Sequence, residues 1–377
     1  MTAIRPPVGA APERGTSVTG RCLSVAERTD GVADCSLPRV FEFDGDGSIG
    51  STVLGMRKPI REALLQHGAV LLRGLSVCDG QRLTEVLSQL AIPVGHKAYF
   101  DPLDRKETAP HVFAIENVDL LGPHIEMSYA WSRPAQIAVS CIAPADRGGE
   151  TTLCDFASVF AALPDRTRSR LENAFLIYRR PLTRAYLESR FPNPNPNPNA
   201  NANATGISRS DVEAENENYG GVLEWGADGS ATVRTEVPAF ILHPETGHRM
   251  FNFQFYWGPW AGAFAREWRR RQRGGAPAMV GPRQRVAAVR AAVLRRIGRP
   301  SPSQAGVDVS FADGVGLSDS ELEDLASVVC DQNRSFSWRA GDMLVIDNAR
   351  VAHGKLPHEG KRELLIAHSR HFSVRAG

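Results

Sequence analysis

The chain has no paired cysteines, no long apolar run and almost no net charge, and each lack closes off a class of function. Its cysteines (Cys22, Cys35, Cys78, Cys141, Cys154 and Cys330) are scattered, with no C-x-x-C pair among them. Such spacing supports neither a zinc ribbon nor a disulfide framework, and it reads as reduced thiols in a reducing compartment. Apolar stretches such as Ala69-Val-Leu-Leu72 fall far short of the roughly 18 to 20 residues that span a bilayer. A formal net charge of +2 over 377 residues predicts no polyanionic partner. Near the N-terminus, Arg5, Arg14, Arg21 and Arg28 are offset by Glu13, Glu27 and Asp30, with no apolar core of signal-peptide length. A cytoplasmic location is expected, with organelle targeting left open.

What is present is the composition of an ordinary globule, 42% hydrophobic and 23% charged. Residues 1–38, rich in Gly, Pro, Ala and Thr, read as an irregular tail. Residues 39–377 read as a single domain with insertions near 191–219 and 261–305. The spacing predicts helices over 57–67 and 77–90, and a third starting at Ser318 with Asp319 and Glu321 in its first turn. Apolar runs at 68–74 and 136–142 read as strands, and 151–155 leads into a short helix ending at Leu163-Pro164. Residues 237–243 and 247–255 flank Pro244-Glu-Thr-Gly247 as a hairpin, and 336–346 as a strand, turn and strand. The Asn-Pro repeat of 191–205 makes neither helix nor sheet, because proline removes donors and asparagine favours turns. It is expected to be a mobile loop. Strands along the whole chain, with helices at the start and in the insertions, predict a mainly β protein with peripheral helices, a double-stranded β-helix or jelly roll.

The chemistry gathers around three residues. His124 and Glu126 form an H-x-E pair in Gly122-Pro-His-Ile-Glu-Met-Ser-Tyr129, and His353 lies far downstream in Ala352-His-Gly354. Alternate residues of a strand share a face, so the pair offers an imidazole and a carboxylate to one ion, and His353 closes a triangle. Two histidines and one carboxylate make a facial non-haem iron site, leaving positions open for an oxo acid and dioxygen. Any H-x-E alone is weak, but Thr151 follows in Gly148-Gly-Glu-Thr151 and Arg362 follows His353. A guanidinium and a hydroxyl are what the far carboxylate of a dicarboxylate cosubstrate needs. Taken singly, Arg362 reads as a surface ion pair with Glu359 or Glu363, and Thr151 as a strand residue after a turn.

This order of motifs, with Gly341-Asp-Met-Leu-Val-Ile-Asp-Asn348 and Lys361-Arg362, resembles the taurine dioxygenase family of Fe(II)/2-oxoglutarate-dependent oxygenases, over about 68–370. His124-Ile-Glu-Met-Ser-Tyr129 looks most like the branch that hydroxylates amino acids in nonribosomal peptide pathways, where glutamate replaces aspartate. The resemblance implies that His124, Glu126 and His353 hold Fe(II) and that Thr151 and Arg362 hold 2-oxoglutarate. It implies hydroxylation of an aliphatic carbon of a small, amino-acid-like substrate, free or tethered to a carrier protein, with release of succinate and carbon dioxide. Halogenation is disfavoured, because it needs the place of Glu126 for halide. In taurine dioxygenase an arginine four residues beyond the cosubstrate arginine grips the sulfonate. Here that position is Ile366, which puts taurine in doubt, and Arg370 is expected to share the strand face of Ile366 and Arg362. Tyr129, Asn252 and Arg133 are candidate substrate contacts, with Arg105 and Lys106 as loop charges near an anionic substrate.

Other readings remain. Residues 266–299 carry eleven arginines against one acid, Glu267, so a jelly-roll binding protein working through that insertion is one alternative. The bland account is a solvated insertion whose Val286, Val289 and Val293 mark a helix face. A sulfonate-cleaving dioxygenase is another. A zinc hydrolase is disfavoured because H-x-E is not the helical H-E-x-x-H pattern.

Overall fold

The computed structural model describes residues 21–24, 37–43, 49–95, 107–115, 120–193, 206–256, 258–272 and 307–374. Its larger sheet runs, in spatial order, Arg21–Ser24, Arg39–Glu42, Ala69–Val77, Gly341–Asp347, Gln136–Ala143, Glu363–His368, Val112–Ala114 and Glu107–Ala109. The segments Ala69–Leu72 and Met343–Ile346 of the two neighbouring central strands are continuously apolar rather than alternating, because both of their faces are covered. Val70, Leu72, Met343 and Val345 pack with the helices Ile49–His67 and Gly80–Gln89. Ala69, Leu71, Leu344 and Ile346 pack the other way, against Leu153, Phe336 and Val351 of a second sheet.

That second sheet has the order Asn333–Phe336, Thr151–Asp155, Val351–Lys355, Leu121–His124. Its far side is covered by the helices Phe156–Ala162, Pro259–Gln272 and Asp319–Gln332 around an aromatic cluster of Phe156, Phe251, Phe253, Phe255 and Trp260. The layers therefore run helices, large sheet, small sheet, helices. A third sheet, of Val222–Trp225, Ala231–Pro238, Phe175–Leu182 and Asp308–Phe311, lies beside them.

Several expected elements differ in extent. The first helix starts at Ile49, well before residue 57, and runs through Pro59. The second begins only at Gly80, because Asp79 caps it by accepting from Arg82 N while Val77 still belongs to the strand. The capping box at Ser318 and Glu321 starts the helix Asp319–Gln332 where the sequence places it. Phe240–Leu242 and Arg249–Phe251 pair as a hairpin, with Gly247 at φ +67° in the turn. The unit at 336–346 is the expected strand, turn and strand, with Asn333–Phe336 in the small sheet and Gly341–Asp347 in the large one, so the turn crosses between layers.

Within the stretch read as an irregular tail, Arg21–Ser24 is a strand paired antiparallel with Arg39–Glu42. The remainder of 1–36 lies outside the described residues, as do the repeat at 194–205, Arg105 and Lys106, and the arginine-rich stretch beyond Gln272 with Val286, Val289 and Val293. Among the described residues no helix is long and apolar enough to cross a membrane.

Candidate metal centre

His353 sits in the middle of Val351–Lys355, directly opposite His124 on the neighbouring strand. Cross-strand partners hold their Cβ atoms about 5 Å apart, and the two imidazole centroids are 4.3 Å apart. Gly354 makes this closeness possible, since a Cβ there would meet the Leu121 carbonyl oxygen at 2.5 Å and Thr152 Oγ1 at 2.7 Å. Beside them, Thr151–Asp155 pairs with Val351–Lys355, setting Leu153 against His353 and Thr151 against Lys355.

Strand alternation does not bring Glu126 to the site. The strand Leu121–His124 ends at His124, and Glu126 lies in the turn that follows. Met127 adopts a left-handed φ of +58° there, a conformation that costs a non-glycine residue about 1 kcal/mol or more and clusters at functional sites. Asn348 fixes this turn. Its Oδ1 accepts from Glu126 N at 2.8 Å, and its Nδ2 donates to the carbonyls of Glu126 at 3.0 Å and Pro134 at 2.9 Å.

Glu126 Oε2 then lies 3.5 Å from His124 Nε2 and 3.8 Å from His353 Nε2, and the donor atoms of the three residues fall within 4.8 Å of one another. Metal–imidazole bonds of about 2.1 Å place adjacent ligands about 3 Å apart, so an ion fits with small side-chain shifts. His124 Nδ1 sits 3.1 Å from the Gly122 carbonyl, which can only accept, so Nδ1–H donates and Nε2 is left free to ligate. One carboxylate and two imidazoles suit Fe(II).

Thr151 and Arg362 come together as the sequence suggests. Arg362 Nη2 is 3.4 Å from Thr151 Oγ1, and its Nε donates to the Gly149 carbonyl at 3.0 Å. Arg362 is buried, not a surface ion pair, and burial pulls its pKa down to about 10. Trp338 Nε1 donates to Thr151 Oγ1 at 2.9 Å, a contact that no local pattern announces.

Arg370 is exposed and lies beyond Glu363–His368, so it does not share the expected face. The strand ends at His368, and beyond it Arg370 N bonds the Pro93 carbonyl, so the alternation does not extend to Arg370. Leu364 and Ile366 face the core between the sheets, and His368, two residues on, reaches Glu126. Asn252 is fully buried; its Oδ1 accepts from Arg133 at 2.5 Å and its Nδ2 donates to the Pro238 carbonyl at 2.8 Å. Tyr129 lies in the same turn as Glu126, with its ring between those of Tyr178 and Tyr219.

Residues 49–368 match the model of the Taurine catabolism dioxygenase TauD, TfdA family. The chain belongs to that family. It is accordingly a dioxygenase that uses Fe(II) and 2-oxoglutarate. Dapdiamide synthesis protein DdaC of Enterobacter agglomerans is 22% identical over 316 residues, covering 82% of this chain and 84% of that protein. PvcB of Pseudomonas aeruginosa aligns over 88% of this chain and 85% of its own at 14% identity and TM-score 0.49. A taurine dioxygenase from Burkholderia xenovorans aligns over 89% and 93% at 16% identity and TM-score 0.46.

Proposed function

We propose that this dioxygenase hydroxylates an aliphatic carbon of a small, polar, amino-acid-like substrate, free or carried on a partner protein, releasing succinate and carbon dioxide. The observation that carries the reading is the meeting of His124, Glu126 and His353 within 4.8 Å, beside the buried Thr151–Arg362 pair. We further infer that the two facing sheets are the halves of a double-stranded β-helix.

In this reading His124, Glu126 and His353 bind Fe(II), and Arg362 and Thr151 grip the far carboxylate of 2-oxoglutarate. Bound together with dioxygen, the metal and its cosubstrate supply the oxidation that breaks a C–H bond. The chain's own part is placement. Asn348 and Met127 set the angle of the Glu126 turn, Trp338 orients the Thr151 hydroxyl, and the buried walls keep water from the reacting centre. With Glu126 as a ligand, no vacant position favours halide. The amino-acid class is supported by His124-Ile-Glu-Met-Ser-Tyr129 and by the match to a dapdiamide synthesis protein. Sulfonate cleavage is the weaker reading, because Ile366 packs into the core where an arginine would be needed.

The test is succinate release from 2-oxoglutarate by the Fe(II)-loaded protein across a panel of free and carrier-bound amino acids, with taurine included. An amino acid should stimulate release and gain one oxygen atom, and His353→Ala should abolish both. Stimulation by taurine alone would replace the amino-acid reading. Failure to bind both iron and 2-oxoglutarate would end the proposal.

A further inference from the structure

His243 is bonded to a turn 104 residues further along the chain. It closes the hairpin of Phe240–Leu242 and Arg249–Phe251, where its backbone N–H donates to the His248 carbonyl at 2.8 Å. Its side chain is buried. Nδ1 is approached by the backbone N–H groups of Glu245 at 3.2 Å and Thr246 at 3.1 Å, so it accepts and carries no proton. The ring proton therefore sits on Nε2, which donates to Asp347 Oδ2 at 2.8 Å. A neutral imidazole, oriented by its own hairpin, presents one N–H to a buried carboxylate.

Asp347 needs that donor. It is 5% exposed, and taking a carboxylate out of water is costly unless hydrogen bonds replace its hydration. Its Oδ1 accepts from Ala349 N at 3.1 Å, while Oδ2 accepts from His243. The residue so held opens a turn on which several contacts converge. Asp347 N donates to the Gly68 carbonyl at 2.8 Å, and Asn348 N to the Ala135 carbonyl at 2.9 Å. Asn348 holds the Glu126 turn with its side-chain amide. Arg350 grips Asp155 through contacts of 3.2 and 2.7 Å and donates to the carbonyls of Leu65 and Gln66. The strand Val351–Lys355, with His353 at its centre, starts at the next residue. The turn 347–350 is thus tied to two of the three proposed ligands, to Glu126 through Asn348 and to His353 through the start of its strand.

We propose that His243 is a positioning residue for the metal centre: by holding Asp347 it fixes the 347–350 turn, and with it the aim of Glu126 and His353. The inference rests on the ligand set assigned above. The competing account is that His243 serves only its own hairpin, by accepting from Glu245 and Thr246. Both of those residues are exposed, so water can stand in for the ring there, whereas Asp347 is buried. Loss of the imidazole therefore falls on the carboxylate and the turn it opens.

The two bonds of the ring are separable. A glutamine amide nitrogen reaches the place of Nε2 and keeps the donor to Asp347; an asparagine amide oxygen reaches the place of Nδ1 and keeps the acceptor for the hairpin. The full chain is titrated with Co(II), whose visible absorption reports the geometry of a site that suits Fe(II), and its melting temperature is measured without metal. His243→Asn should weaken Co(II) binding about ten-fold, as the loss of support behind metal ligands does, and alter the spectrum. His243→Gln should keep most of the wild-type affinity and the wild-type spectrum, even where its melting temperature falls. If either variant fails to fold, Asp347→Asn takes its place: its amide offers one acceptor oxygen instead of two, and Co(II) binding should weaken. The proposal is overturned if the order of the two His243 variants is reversed, if affinity follows melting temperature rather than the donor, or if His243→Asn or Asp347→Asn binds Co(II) like wild type. Wild-type protein that binds no Co(II) would instead overturn the ligand assignment on which the inference rests.

Discussion

Glu126 Oε1 lies 3.6 Å from His368 Nε2, while Oε2 of the same carboxylate faces His124 and His353. The two oxygens have different neighbours, and His368 stands, just beyond hydrogen-bond distance, beside the one turned away from the two imidazoles, where it would orient the carboxylate once an ion is bound. His368→Ala is expected to weaken Fe(II) binding about ten- to a hundred-fold, the usual effect of losing such a partner, with 2-oxoglutarate binding preserved. Anaerobic iron titration of the variant checks it; wild-type iron affinity would show that His368 does not steer Glu126.

Trp338 should matter for the cosubstrate and not for the metal. Its indole N–H fixes the Thr151 hydroxyl beside Arg362. Trp338→Phe should raise the KM for 2-oxoglutarate several-fold with iron affinity intact. Arg362→Ala should raise that KM by about ten- to a hundred-fold, since a charged contact is lost. Steady-state succinate formation separates the two.

Asn348 is fully buried and spends both ends of its amide on the backbone around Glu126. Asn348→Ala strands buried donors and acceptors, at a cost of about 1 to 3 kcal/mol for each group left unpaired. Denaturant unfolding should register the loss, and iron stoichiometry should fall with it.

Gly354→Ala places a methyl against the Leu121 backbone oxygen. Backbone cannot step aside without parting the strands of His353 and His124, so a loss of about 1 to 3 kcal/mol is expected. The melting temperature and the iron content of the purified variant should fall together. A variant with normal iron content would show that the strands tolerate the separation.

The buried thiols should be inert. Burial pushes Cys141 and Cys330 up to about 12 and raises Cys154 well above the ordinary range, whereas Cys78 is exposed. Because the thiolate is the reactive form, alkylation of native protein at pH 8 followed by mass spectrometry should label Cys78 ahead of these three.

Much of the site is legible in the sequence because its residues lie in short, distinctive runs. His124 with Glu126, Thr151 after its glycines, Ala352-His-Gly354 and Arg362 each stand out locally, and the fold brings them together. Asn348 stands inside a recognisable run, yet its role as clamp depends on a turn more than two hundred residues away. Trp338 and His368 are silent for the same reason: each meets its partner across strands that only tertiary pairing brings together. Glu126 shows where a periodicity argument fails. The H-x-E spacing suggests one strand face, but the strand stops at His124 and a left-handed Met127 completes the geometry. Arg370 fails because the strand stops at His368, an end that a one-dimensional count cannot see.

Val351–Lys355 is hydrogen-bonded to a neighbour on each side, to the strand of Thr151 and to the strand of His124. A slip of one residue would turn His353 to the opposite face and spoil both the proposed ion pocket and the alignment of Thr151. Iron uptake is thus a readout of folding as well as of chemistry. In any preparation of this enzyme, the fraction that takes up metal measures how many molecules have paired their strands correctly.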